Sequence, residues 1–137
     1  MRRVAPVLGF LTFAILFLIV NRGAYEGYFH GDELDNIQWT RYLGARDWAS
    51  GFLSPRYYRQ NFRPVGHFYF NLMGRAAGLD FRWYVFSIHA LHLVNLLLLW
   101  RLLRLRLYFG SWPAAAGCLF FTFDMGALDA LWTPVYV

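Results

Sequence analysis

The stretch His30-Gly31-Asp32-Glu33-Leu34-Asp35 holds the densest set of proton-accepting groups in the chain. Adjacent carboxylates such as Asp32 and Glu33 can take the proton of a hydroxyl or an amide, and the same pair can hold a divalent cation that bridges to phosphate. A short acidic cluster is equally a solvated or helix-capping feature, so its setting decides its meaning. The second chemical resource is arginine: all 13 basic residues are Arg and none is Lys. The planar guanidinium grips phosphate bidentately, although base composition of the gene yields the same bias. Two further polar sets recur at helical spacing. His67, Asn71 and Arg75 stand at i, i+4 and i+8, and His89, His92 and Asn95 at steps of three. No Walker loop, Gly-x-Ser-x-Gly elbow or His-Glu-x-x-His zinc helix occurs, and no cofactor is evident from the sequence. The single cysteine, Cys118, allows neither an intrachain disulfide nor a cysteine-based zinc site.

The elements that must position these groups are set by hydropathy. The chain of 137 residues is 58% hydrophobic and only 15% charged, well below the roughly 25% charged residues of a soluble domain. That shortfall leaves too little polar surface to coat a water-soluble globule, and it excludes intrinsic disorder. An all-α membrane protein with about three spans is expected. After Arg2 and Arg3, residues 4–20 form an uncharged run of roughly 25 Å as a helix, enough to cross a slightly thin bilayer. The run is longer than a signal-peptide core and lacks small residues at a cleavage site, so a retained anchor is favoured. A second span, 83–103, is bracketed by Trp83, Tyr84 and Trp100 and closed by Arg101, Arg104 and Arg106, the pattern of interface anchors. A third, 112–132, opens at Ser111 and Pro113 and contains Asp124 and Asp129.

Between the first two spans lies the loop 21–82, with eight Arg against six acids and many aromatic residues, a composition suited to the headgroup layer. Its clearest element is a helix from Pro64 to about Ala77, with His67, Asn71 and Arg75 as one stripe on an otherwise apolar surface. Such a helix is interfacial or packs under a bundle. His89, His92 and Asn95 occupy about a 120° arc, as helix-to-helix hydrogen-bonding glue or as the lining of a cavity. Five arginines flank one membrane side (Arg2, Arg3, Arg101, Arg104, Arg106) against three on the other (Arg22, Arg75, Arg82). The bias puts the N-terminus in the cytoplasm and the loop outside. Nucleic acid is not an expected partner, because the arginines are dispersed among membrane segments. Membrane lipid is.

The order of these motifs resembles the GT-C class of membrane glycosyltransferases, especially the protein O-mannosyltransferases and the related tetratricopeptide-containing transferases. The resemblance rests on Asp32-Glu33 just after an N-terminal span, on Phe62-Arg63-Pro64 leading into an aromatic-rich helix and Gly78-Leu79-Asp80, and on His92-Leu93-Val94-Asn95 with its basic end at Arg101. It covers residues 1 to about 106. It implies transfer of a sugar from a polyprenyl-phosphate donor to an acceptor outside the cytoplasm, in the bacterial inner membrane or an equivalent one. The catalytic role falls on Asp32, with Glu33 beside it; Arg63, His67 and Asp129 become candidates for substrate binding, and any metal is left undefined. The third segment lacks the His-Pro and following Glu often found in the family. Relatives also carry many more helices, so residues 1–137 correspond to the N-terminal part of such an enzyme, with further helices of a longer chain or a partner membrane protein completing it. A small, non-catalytic membrane assembly or scaffold protein is the alternative.

Overall fold

The computed structural model describes residues 4–54 and 63–123. Six α-helices follow one another: α1 Val4–Val20, α2 Gly31–Thr40, α3 Ala45–Leu53, α4 Pro64–Ala76, α5 Phe81–Arg101 and α6 Ser111–Phe123. A 3-10 turn, Arg22–Glu26, follows α1, and a π-helical turn, Leu102–Arg106, extends α5. No strand occurs among the described residues.

Two helical stretches are long and apolar enough to cross a membrane, Gly9–Glu26 and Phe81–Arg106. Phe17 is buried on α1, whereas Ile15 and Ile19 stand more than half exposed, an outer surface that only hydrocarbon or another protein would accept. The 13 residues of α6 reach about 20 Å, shorter than a span. The rest of the expected 112–132 segment, including Asp124 and Asp129, lies outside the described residues.

α5 is the axis of the fold. Towards its C-terminal end, Leu96 and Trp100 pack with Ala114 and Cys118 of α6, and Phe10 and Phe13 of α1 close the cluster. In its middle, Ile88 meets Phe17 of α1. Near its start, Phe81 and Val85 receive Ala24 of the 3-10 turn, and Tyr84 packs with Ile37 of α2 and Phe70 of α4. Gly27 is required by this packing, since a Cβ there would stand 2.9 Å from Cε1 of Phe81.

Helix ends are closed by specific groups. The Asn21 carboxamide donates to the Phe17 carbonyl at 3.0 Å and finishes α1. Pro64 begins α4 where its missing N–H costs nothing. Gly78 follows α4 with φ of +61°, the left-handed conformation that suits glycine. The Asp80 carboxylate accepts from the Arg82 N–H at 3.2 Å and starts α5. Beyond α5, Arg104 donates to the Phe109 carbonyl at 2.7 Å, across a turn in which Tyr108 has φ of 55°.

The 21–82 region holds more order than the one helix read from its sequence. α2 and α3 are both short, of 10 and 9 residues, and neither has the length to declare itself by periodicity alone. Tertiary contact explains them: both pack against α4.

Candidate functional site

α2 begins with His30 in an extended conformation and places Asp32 and Glu33 in its first turn, where carboxylates meet the positive end of the helix dipole. The two neighbours then part company. Consecutive residues on a helix point about 100° apart, so when Ile37 and Thr40 face inward, Glu33 at the same stripe is carried in with them. Glu33 is 0% exposed. Its Oε2 accepts from the His30 N–H at 2.6 Å, satisfying one of the donors that a helix start leaves open. Asp32 is exposed. It is bound into α2 through its backbone, with its carbonyl accepting from the Asn36 carboxamide at 2.7 Å.

α4 supplies the opposing wall. The stripe His67, Asn71, Arg75 turns toward α2, and it functions as a clamp. Asn71 Nδ2 donates to the Thr40 carbonyl at 2.6 Å, and Arg75 donates to the Leu43 carbonyl at 3.0 Å, so α4 binds the last carbonyl of α2, which also accepts from the Leu43 N–H, and one in the turn that follows. His67 is buried, with its ring edge-on to Trp39 at 4.5 Å between centroids. Burial, and secondarily the Arg63 guanidinium, hold the His67 imidazole below the ordinary histidine value, which keeps it neutral at pH 7.

Tyr69 links this pair to α5. Its hydroxyl stands 2.8 Å from Ser87 Oγ and 3.2 Å from the Tyr84 carbonyl. Burial above all pushes the Tyr69 phenol up to about 12; the Ser87 hydrogen bond acts the other way, and the charge of Glu33 adds to the rise. The phenol therefore remains a hydrogen-bond donor at any physiological pH.

The expected site residues fall into three groups. Asp32 and Arg63 are exposed, available to a soluble or interfacial substrate. Glu33 and His67 are interior, in the packing of α2 against α4. Asp129 lies outside the described residues. Among the described residues no three His, Cys, Asp or Glu side chains group closely enough to hold a metal ion. Sequence reasoning passed over Tyr69, whose signal was an aromatic alcohol within the polar-and-aromatic run of α4, and it gave Asn71 a place in a stripe without a partner.

The polar arc on α5 also divides. His89 Nδ1 lies 3.1 Å from the Tyr25 hydroxyl. His92 is sandwiched between the rings of Phe17 and Phe121, at 4.8 and 4.9 Å between centroids, and its buried Nε2 has no hydrogen-bond partner among the described residues. Asn95 is exposed. α1 and α6 cover the ridge of His92, Leu96 and Trp100, and Asn95 stands about 100° around the helix from Leu96.

No protein-family model, no curated protein and no solved structure matches the chain.

Proposed function

We propose that residues 1–137 are the N-terminal part of an integral-membrane glycosyltransferase that moves a sugar from a polyprenyl-phosphate donor to an acceptor on the extracytoplasmic side. The observation that carries this reading is the split between neighbouring acids: Asp32 is exposed while Glu33 is wholly buried and bonded to the backbone that precedes the helix. A general base must reach its proton donor and must itself be held in place. Asp32 meets the first requirement, and Glu33 supports the second by fixing the first turn of α2.

In the proposed reaction the Asp32 carboxylate accepts the proton of the acceptor hydroxyl as the hydroxyl oxygen bonds to the anomeric carbon. The bond between that carbon and the phosphate oxygen breaks, and the electron pair leaves with the polyprenyl phosphate. Arg63, exposed where α4 begins, is assigned to the leaving phosphate, which a guanidinium pairs with through two parallel hydrogen bonds. α1 and α5 cross the bilayer with the N-terminus in the cytoplasm, in a bacterial inner membrane or an equivalent one, and α4 lies at the outer interface. Further helices of a longer chain or a partner membrane protein complete the donor site.

The test is transfer of labelled sugar from a polyprenyl-phosphate donor by membranes containing the full-length protein. Asp32→Asn is expected to lower turnover by roughly 10²-fold or more at unchanged expression. Transfer at the parental rate by this variant would remove Asp32 from catalysis, and absence of transfer by the parent itself, over a panel of donors, would overturn the reading.

A further inference from the structure

The C-terminal end of α5 carries Arg101, Arg104 and Arg106, and no acid occurs in residues 81–123. The described acids stand on the 3-10 turn, α2, α3 and the cap of α5, all gathered about the opposite end of that helix. The structure divides the three arginines. Arg104 is held by the chain itself, through its 2.7 Å bond to the Phe109 carbonyl. Arg101 and Arg106 are exposed and, among the described residues, have neither a hydrogen bond nor an ion pair. In a regular α-helix residues five apart point about 140° apart. Here Leu102–Arg106 is π-helical, closed by the Leu107 N–H on the Leu102 carbonyl at 3.0 Å, and this wider i→i+5 turn draws Arg101 and Arg106 toward one face. Tyr108 and Trp112, 85% and 87% exposed, follow where the chain reverses into α6.

We propose that Arg101 and Arg106 form a site for the phosphate of an anionic lipid headgroup, with Tyr108 and Trp112 in the same headgroup layer. The proposal rests on α5 crossing the bilayer, and not on any role of Asp32. The 21 residues of α5 reach about 30 Å, the thickness of the hydrocarbon core, so with Phe81 at one surface Arg101 stands at the phosphates of the other. The occupant follows from charge and depth together. Two guanidiniums without a carboxylate call for an anion, and the guanidinium fork matches the paired oxygens of a phosphate. The exposed Leu105, Leu107 and Phe109 beside them call for hydrocarbon, which an acidic soluble partner lacks. A further helix packed here would have to bring its own acids to the membrane edge. A lipid supplies both phosphate and hydrocarbon at that depth, and exposed aromatic rings settle in the same layer. Phosphatidylcholine cancels its phosphate with an ammonium group, whereas phosphatidylglycerol leaves the charge free, so the pair selects the anionic lipid.

The experiment uses the full chain, labelled with a fluorophore at Ser111→Cys in a Cys118→Ser background, in phosphatidylcholine vesicles containing a minor share of phosphatidylglycerol. One lipid at a time is brominated in its acyl chain. Quenching by brominated phosphatidylcholine reports that the turn lies at the bilayer, and the ratio of quenching by the two lipids, per mole, reports the preference. A guanidinium near an anionic surface supports about a fivefold preference at low ionic strength, so Arg101→Gln and Arg106→Gln are each expected to lower the ratio by that factor and the double variant to bring it near one. Arg101→Lys, which keeps the charge and loses the fork, is expected to retain part. Arg82→Gln, at the other end of α5, is expected to change nothing, and Arg104→Gln to change less than either member of the pair. Equal quenching by the two lipids in the parent, or quenching by neither, would overturn the proposal. A loss for Arg104→Gln as large as for Arg101→Gln would replace the paired site with diffuse positive charge. Loss of the preference on adding millimolar inorganic phosphate at constant ionic strength would assign the pair to a soluble phosphate instead. Both arginines are exposed, and far-ultraviolet circular dichroism checks that the helices persist in each variant.

Discussion

Replacing Glu33 and Asp32 in turn should give opposite phenotypes from adjacent positions. Glu33→Ala removes a carboxylate that is wholly buried and accepts a 2.6 Å hydrogen bond from the His30 N–H. A hydrogen bond to a charged group is worth about 1.5–3 kcal/mol, and a carboxylate at a helix start adds about 0.3–1 kcal/mol. Relief of the buried charge's desolvation offsets part of this, leaving a net loss of about 2 kcal/mol in a seam that also contains Ile37 and Thr40. Glu33→Gln keeps an acceptor oxygen and the packing, and should lose about 1 kcal/mol. Asp32→Ala touches an exposed side chain and should change stability by no more than about 0.5–1 kcal/mol. The assay is twofold: thermal unfolding of the purified protein in detergent, and hydrogen exchange of the amides at the start of α2. Glu33→Ala should lower the melting temperature by several degrees and speed exchange at residues 31–36, while Asp32→Ala leaves both near the parent. A parental melting curve for Glu33→Ala, or a larger loss for Asp32→Ala, would refute the division of roles.

Asn71→Ala should cost about 1–2 kcal/mol and raise hydrogen exchange around the α2–α3 junction, since it removes the 2.6 Å bond to the Thr40 carbonyl; unchanged exchange there would show that the clamp does not hold the junction. Because burial lowers the His67 value in the folded protein, the unfolded chain takes up more protons as pH falls. His67 therefore contributes stability that is complete above about pH 6.5 and is lost as pH drops below that value. His67→Phe should flatten the melting temperature between pH 7 and pH 5, whereas a slope equal to the parent's would remove His67 as its source. Single cysteines at the exposed Ser50 and Ser111, in a Cys118→Ser background, should label from outside and inside intact cells respectively. The reverse pattern would invert the proposed topology.

The sequence was most legible where a single property ran unbroken. The uncharged stretch of α1 and the aromatic-bracketed α5 show themselves by length and hydropathy, and Pro64 announces the start of α4 because proline is pre-set for a first helical turn. What stayed hidden depended on pairing. The stripe His67, Asn71, Arg75 is visible as a stripe, but a polar stripe meets water, headgroups or another helix with equal ease; only its hydrogen bonds to the Thr40 and Leu43 carbonyls identify its partner. The acid pair is similar. Nothing in the letters Asp-Glu says which carboxylate turns inward, since that depends on where α4 touches α2. His89, His92 and Asn95 share an arc by arithmetic, yet α1 and α6 cover only part of it, and that boundary is set by packing between segments far apart in the chain.

α4 is tied at both sides: Tyr69 is bonded to α5, Asn71 to the last residue of α2, and Arg75 to Leu43 in the turn beyond it. The helix is thus a crosspiece, and the acidic turn at Asp32 has no direct polar tie to α5 among these bonds: α2 is referenced to α5 through a neighbour, so a substitution at Tyr69 bears on α2 only by way of α4.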